Sequence, residues 1–434
     1  MSGPGRAAVV GLARSGRAAA RLLARRGWRV VAVDSGEIAA PDLEEAGIEV
    51  RAPFDGPLTD VDLLVKSPGV PGEATPVASA RDAGVPVWSE IELAGRELAA
   101  PIIGITGTNG KTTTTELIAH LLREGGLEAR ACGNQGTPLS DLVDEVGEET
   151  WLVVECSSFQ LEDVHAFRPR AAALLNITPD HLDRHGSFDA YRDAKLRLFR
   201  NMGAGDLAIC PEGLRPPGRA LPTFVVDGPA RDGAIAWSEG GLHLAGAGLI
   251  APWSDVSIRG RHNRENAMVA TALAARAGAA ADALARGLAS FPGVPHRLEV
   301  VAEVGGVRYV NDSKATNPDA AAAALDAYDR GVHLIAGGSA KGTSFAPLAD
   351  AARGAVVRAY LIGDTAAEIG AALDASRVAH ESCPDLAAAV RAAAARARPG
   401  QVVLLAPACA SFDQFTSYEH RGDVFREAVA ALGG

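Results

Sequence analysis

Short apolar runs recur along the whole chain, and the stretches between them carry Ala and Leu at helical spacing. From residue 7 to 97 the runs "AAVVGL", "WRVVAVD", "DLLVKSPG" and "VPVWSE" read as strands. Strands that alternate with helices and are apolar throughout belong to a parallel sheet covered on both faces. A fresh run, "PIIGITG", opens a second unit that continues through "WLVVECSS" and "AAALLNIT" to the helical stretch "HNRENAMVATALAARAG". Near the end of this unit, "AIAWSEGGLHLAGAGLI" predicts a hairpin with Gly turns. After "FPGVPHRLEVV" a third unit starts with another hairpin, "VVAEVGGVRYVNDS", and then alternates "VHLIAGGS", "VVRAYLIGD" and "QVVLLAPA" with helices. The pattern therefore predicts an α/β protein of three domains, with boundaries near 95 and 293. Ala-rich stretches such as "DLAAAVRAAAARA" have no fixed repeat and read as plain helix.

Composition agrees with this picture and narrows the partners. A length of 434 residues is too great for one ordinary core. A 47% hydrophobic content with only 5% aromatic residues fits helix-on-sheet packing. The formal net charge of -11 argues against a general nucleic-acid surface, while leaving local sites for small anions. Cysteines 132, 156, 210, 383 and 409 are odd in number and form no C-x-x-C pair, so a reduced, cytoplasmic protein is expected. The start "MSGPGRAAVVGLARSG" breaks at glycines and reads as neither signal peptide nor membrane span, and no later segment reaches spanning length without a charge or a glycine.

The chemistry concentrates at strand ends. "GITGTNGKTTTTE", residues 104–116, departs from the standard phosphate loop because Ile105 fills the first glycine position. Glycines at 104, 107 and 110 let the backbone turn its N–H groups toward phosphate oxygens. The following helix adds positive potential, Lys111 a full charge, and Thr112 a Mg²⁺ ligand. Glu155, directly after the strand "WLVV", is where an acidic metal ligand belongs. In the first unit, "VVGLARSG" offers Gly11 and Gly16, and Asp34 ends the second strand. That is the skeleton of a dinucleotide site, but Ala13 replaces the central glycine. Three readings stay open there: a plain tight turn, an NAD site, or a site for another nucleotide's diphosphate with Asp34 at the ribose or base. "KSPGVP", residues 66–71, would face the same crevice. In "NITPDHLDRHGSFDAYRDAKLRLF", His181 and His185 share the spacing of a zinc helix, but Leu182 stands where H-E-x-x-H needs its Glu, so a metalloprotease is rejected. From pattern alone, Lys195 is an ordinary lysine on an amphipathic helix.

Taken in order, "GITGTNGKTTT", "ECSSFQLE", "NITPDHLDRHGSFDAYRDAKLRLF", "GRHNRENAMVA", "PHRLE", "NDSKATNP" and "LLAPACASFDQFTSYEHRGDVF" resemble the Mur ligases nearly end to end, and among them the D-glutamate-adding branch. The resemblance implies a Rossmann-like N-terminal domain at 1–95 for UDP-N-acetylmuramoyl-L-alanine. It implies a P-loop ATPase-type domain at 96–293 and a Rossmann-like glutamate-binding domain at 294–434. It also implies an acyl phosphate made from ATP, with ADP and phosphate released. ATP would meet Gly107, Thr108, Asn109, Gly110, Lys111, Thr112, Thr113, Asn263, Asn266, Arg297, Asp312 and Lys314. The UDP substrate would meet Ser15, Asp34, Ser35, Ser67, Pro68 and Gly69, with Asn134 and His181 at its reacting end. Two Mg²⁺ sites are implied: Thr112 serves one, and Glu155 and His181 the other. Lys195 is carbamylated in the resemblance and supports the second metal through water. Glutamate would meet Thr316, Lys341, Ser411 and Tyr418. Two departures are visible: the family's acidic residue just before the lysine is absent from "GGSAKG", and Tyr418 stands where phenylalanine is more common. A monomer acting on small molecules is expected. Other readings are a different Mur or polyglutamate-type ligase, an NAD-binding oxidoreductase or regulator, and a non-catalytic nucleotide binder. The diaminopimelate-adding D-N-P-R string is absent.

Overall fold

A computed structural model describes residues 5–211, 214, 223–225, 229, 234–258, 260–339 and 344–433. The chain divides into two compact units, Met1–Val256 with Glu265–Phe291, and Ser257–Arg264 with Pro292–Gly434.

Among its described residues the first unit holds three sheets. β1 (Arg6–Val10), β2 (Arg29–Val33), β3 (Glu49–Arg51), β4 (Leu63–Lys66) and β5 (Val87–Ser89) pair in parallel in the order β3-β2-β1-β4-β5. Order reverses at β1, so a crevice opens at the carboxyl ends of β1 and β4. β6 (Ile102–Thr106), β7 (Ala129–Gly133), β8 (Trp151–Glu155), β9 (Ala171–Leu174) and β10 (Leu207–Ile209) are also all parallel, in the order β10-β9-β6-β8-β7. β6 lies between β8 and β9. Ile102, Ile103 and Ile105 are buried there, each contributing about 1.5–3 kcal/mol of apolar transfer. The third sheet contains β11 (Thr223–Val225), β12 (Ala234–Ser238), β13 (Gly241–Leu244) and β14 (Gly248–Pro252). The expected hairpin is thus a three-stranded antiparallel meander, because Gly246 and Gly248, both at positive φ, allow a second reversal after β13.

The second unit has one sheet, built from β15 (Glu299–Val304), β16 (Val307–Asn311), β17 (Val332–Gly337), β18 (Val356–Ile362), β19 (His380–Ser382) and β20 (Val402–Leu405) in the order β15-β16-β20-β17-β18-β19. Only the β15–β16 pair is antiparallel, which is the predicted hairpin across Gly305 and Gly306. The five cysteines are free thiols. No helix among the described residues is long and apolar enough to cross a membrane.

Candidate active site

The crevice at the ends of β1 and β4 is a cavity of about 300 Å³ that gathers Ser15, Asp34, Ser35, Ser67, Pro68 and Gly69. The turn beside it requires glycine: a Cβ on Gly16 would lie 1.8 Å from the Gly11 carbonyl oxygen and 2.7 Å from Ser67 Oγ. Asp34 accepts the Leu12 N–H at 2.7 Å and the Gly36 N–H at 2.9 Å, so part of its work is to brace the first turn. A second cavity on the same sheet, about 560 Å³ between Arg6 and Asp62, contains none of the predicted residues.

The phosphate-type loop leaves β6 and enters the helix Lys111–Glu124, whose positive dipole end meets the loop. Gly110 caps that helix at φ +83, and a Cβ there would sit 2.4 Å from Asn266 Oδ1. Only glycine fits the loop as built, and Asn266 is held directly over it. Lys111 Nζ donates to the carbonyls of Gly107 and Thr108 at 3.0 and 2.9 Å. Lys195, 2% exposed on the helix Phe188–Leu196, donates to the same Gly107 carbonyl at 2.7 Å and lies over the Tyr191 ring. Burial, with the nearby Lys111 charge, pulls the Lys195 amine down to about 6. A surface lysine on an amphipathic helix would be neither buried nor neutral.

Glu155 ends β8 beside the loop and is also buried. Its Oε1 accepts from Asn134 Nδ2 at 3.0 Å, while Oε2 is buried with no hydrogen-bond partner among the described residues. An orphaned carboxylate oxygen fits a hard cation. His181 takes a left-handed backbone at φ 51 and stacks obliquely on Phe159 at 4.9 Å, with half its side chain exposed. His185 is tied to Ser158 and Glu162, so the i, i+4 pair is no zinc site. Among the described residues, no three His, Cys, Asp or Glu side chains converge as a ready-made metal cage.

Asn176, which the sequence reading did not single out, holds this loop in shape. Its Oδ1 accepts the Asn109 N–H at 2.9 Å, its Nδ2 donates to the Asn109 carbonyl at 3.1 Å, and its own carbonyl accepts the Thr108 N–H at 3.1 Å. The amides of Thr108 and Asn109 are therefore already engaged, which turns phosphate recognition toward the helix start at Gly110–Thr113. Asn176→Ala should raise KM for ATP several-fold with a smaller change in kcat. Steady-state kinetics at saturating cosubstrates will test this, and an unchanged KM would count against the clamp.

In the second unit, Lys314 Nζ donates to Tyr418 Oη at 2.7 Å and lies over its ring, which groups Lys314 with the expected glutamate residues. Ser411 is buried, and the Ser339–Ala410 bridge brings "GGS" beside it; Lys341 lies outside the described residues. Arg421, fully buried, ties Ser313 to the carbonyls of Cys409 and Ala410, and it too was missed. Burial raises the Asp312 carboxyl to about 6 against the opposing pull of Arg297. His296 and Leu298, at φ 62 and 44, flank Arg297 in a strained turn. Thr316 follows in the loop after β16, its N–H on the Lys314 carbonyl. Asn263 is buried near the start of the helix Arg261–Ala277.

This loop, the buried glutamate and the sheet orders define a class, and comparison gives the same one. The Mur ligase middle domain profile matches residues 105–215, and the Mur ligase glutamate ligase domain profile matches residues 296–409. In structure the chain is similar to UDP-N-acetylmuramate-alanine ligase from Thermotoga maritima, with TM-score 0.64 at 20% identity over 98% of this chain and 99% of that one. It is also similar to a pseudomurein peptide ligase type C from Methanothermus fervidus, with TM-score 0.57 at 16% identity over 98% and 99%. These two likenesses concern the fold alone. In sequence it is 45% identical to UDP-N-acetylmuramoylalanine--D-glutamate ligase from Myxococcus xanthus over 98% of both chains. Identity to the protein of that name from Anaeromyxobacter dehalogenans is 46%, over 97% of this chain and 96% of that one. The chain belongs to the Mur ligases, in the family of UDP-N-acetylmuramoylalanine--D-glutamate ligases.

Proposed function

We propose that this protein joins D-glutamate to UDP-N-acetylmuramoyl-L-alanine at the cost of ATP, through an acyl phosphate, in peptidoglycan precursor synthesis. The observation that carries the reading is the Lys111 ammonium on the loop carbonyls of Gly107 and Thr108, with the half-unpaired Glu155 ending the neighbouring strand β8. A carboxylate attacking a γ-phosphate brings two anions together, so positive charge has to be fixed in advance. Mg²⁺ supplies part of that charge when bound. Thr112 would hold one ion on the phosphates, and Glu155 with His181 a second beside the substrate carboxylate. Lys111, freed from its loop carbonyls, would follow the γ-phosphate. Lys195 is the carbamylation site of this reading: its neutral amine would attack CO₂, form the N–C bond and release one proton, and the resulting anion would help hold the second metal. Asn134 would hold the reacting end of the UDP substrate while steadying Glu155.

Residues 1–95 take the UDP moiety, 96–293 the ATP, and 294–434 the glutamate through Thr316, Lys341, Ser411 and Tyr418. Asn263, Asn266, Arg297, Asp312 and Lys314 complete the nucleotide contacts. Phosphate release from ATP is expected only when UDP-N-acetylmuramoyl-L-alanine and D-glutamate are both present. Equal release with either omitted, or with L-glutamate substituted, would overturn the assignment.

A further inference from the structure

At the opposite end of the central sheet lies a cavity of about 520 Å³, lined by Pro101, Trp151, Arg168, Arg170, Asp206 and Arg276 among others. Its walls are strand starts: Pro101 precedes β6, Trp151 begins β8, Arg170 precedes β9 and Asp206 precedes β10. The loop, Glu155 and Asn176 follow the other ends of β6, β8 and β9. Strands of four or five residues separate the two places by roughly 15 Å. Arg168 pairs with Asp206 through two bonds of 3.1 and 2.9 Å, and Asp206 also accepts the Gly203 N–H. Arg276 donates to the Gly205 carbonyl. The Arg170 guanidinium has no hydrogen bond or ion pair among the described residues. Three arginines against one carboxylate leave a concentrated positive site on a chain whose formal net charge is -11. Trp151, half-buried, supplies a flat wall beside them.

We propose that this cavity is a second ligand site, separate from the ligase centre, for a small anion that carries both phosphate and a planar ring, of the nucleoside diphosphate class. Arginine suits phosphate because its planar fork bonds two oxygens at once. Indole offers a stacking face for a ring, and the volume falls within the range of small-molecule sites. The pair with Asp206 and the Gly205 bond hold two of the three guanidinium groups in place, so little ordering is left for binding to impose.

Calorimetric titration of the full chain with ADP tests the site. Two ADP molecules per chain are expected, one at the glycine loop and one here. Arg170→Ala with Arg276→Ala, both at exposed positions, should leave one, with kcat of the ligase reaction unchanged and melting temperature preserved. Asn176→Ala, which removes the clamp on Asn109, should weaken the loop site and leave this one intact. Trp151→Ala should cost ADP at least tenfold while affecting inorganic pyrophosphate little. A single ADP per wild-type chain, or a second site that survives the double arginine substitution, would overturn the proposal. So would pyrophosphate binding as tightly as ADP, which would leave only a phosphate patch, or displacement of ADP by a single-stranded oligonucleotide at lower concentration than by ADP itself.

Discussion

Lys111→Ala is expected to lower kcat by roughly 10²–10³-fold while the protein stays folded. Lys111 sits at the junction of loop and helix, half-buried, and spends its ammonium on the carbonyls of Gly107 and Thr108. Losing those bonds removes little from the core, because the loop keeps the three Asn176 bonds. In the proposed reaction the same ammonium would be a positive charge at the phosphates, and charge developing on the γ-phosphoryl group would lose that partner. The loss should therefore fall on kcat more than on KM for ATP, since an interaction that strengthens only in the transition state leaves ground-state binding nearly untouched. Steady-state kinetics with a melting curve on the same sample separate the cases. A kcat within a few-fold of the parent would remove Lys111 from the chemistry.

How far the sequence carried this site depends on what each residue needed. Long apolar runs such as "PIIGIT" and "VHLIAG" announced β6 and β17, and the glycines at 107 and 110 announced a loop whose shape only glycine allows. Several short strands were not visible, although β5, Val87–Ser89, was read from "VPVWSE". β3 is "EVR", β7 is "ARACG" and β19 is "HES", segments in which polar and small residues outweigh the β-branched ones that mark a strand. Asn176 was hidden for a different reason. Its role exists only because β9 pairs with β6, and strand order is a long-range property that local pattern does not encode. Arg421 was hidden likewise, since a helix arginine reads as surface until tertiary packing buries it among the carbonyls of Cys409 and Ala410. Lys195 marks the sharpest conflict: pattern gave a surface lysine, resemblance gave a carbamate, and the structure shows a buried amine.

That burial sets the terms of the last prediction. Lys195→Ala should be nearly inactive, with a loss comparable to that from a missing metal support, roughly 10–100-fold or more. Two causes compete to explain such a loss. The amine's bond to the Gly107 carbonyl and its contact with the Tyr191 ring are structural, and removing them alone would loosen the loop. A carbamate, by contrast, would be an anion near Glu155, and removing it alone would weaken the proposed second metal site. Small acids distinguish the two. A short-chain carboxylate can enter the space vacated by the side chain and return negative charge, so activity should rise with its concentration and saturate. An alkylamine of similar size would restore a donor toward the Gly107 carbonyl but place a cation beside the proposed second Mg²⁺, so it should fail. A neutral amine is the form that reacts with CO₂, and at about 6 the buried Lys195 is mostly neutral near pH 7, whereas an exposed lysine would be almost wholly protonated. Wild-type turnover should accordingly fall when CO₂ and bicarbonate are stripped from the buffer and recover when they are returned. Rescue of Lys195→Ala by the amine instead of the acid would identify the free ammonium as the working form and end the carbamate assignment.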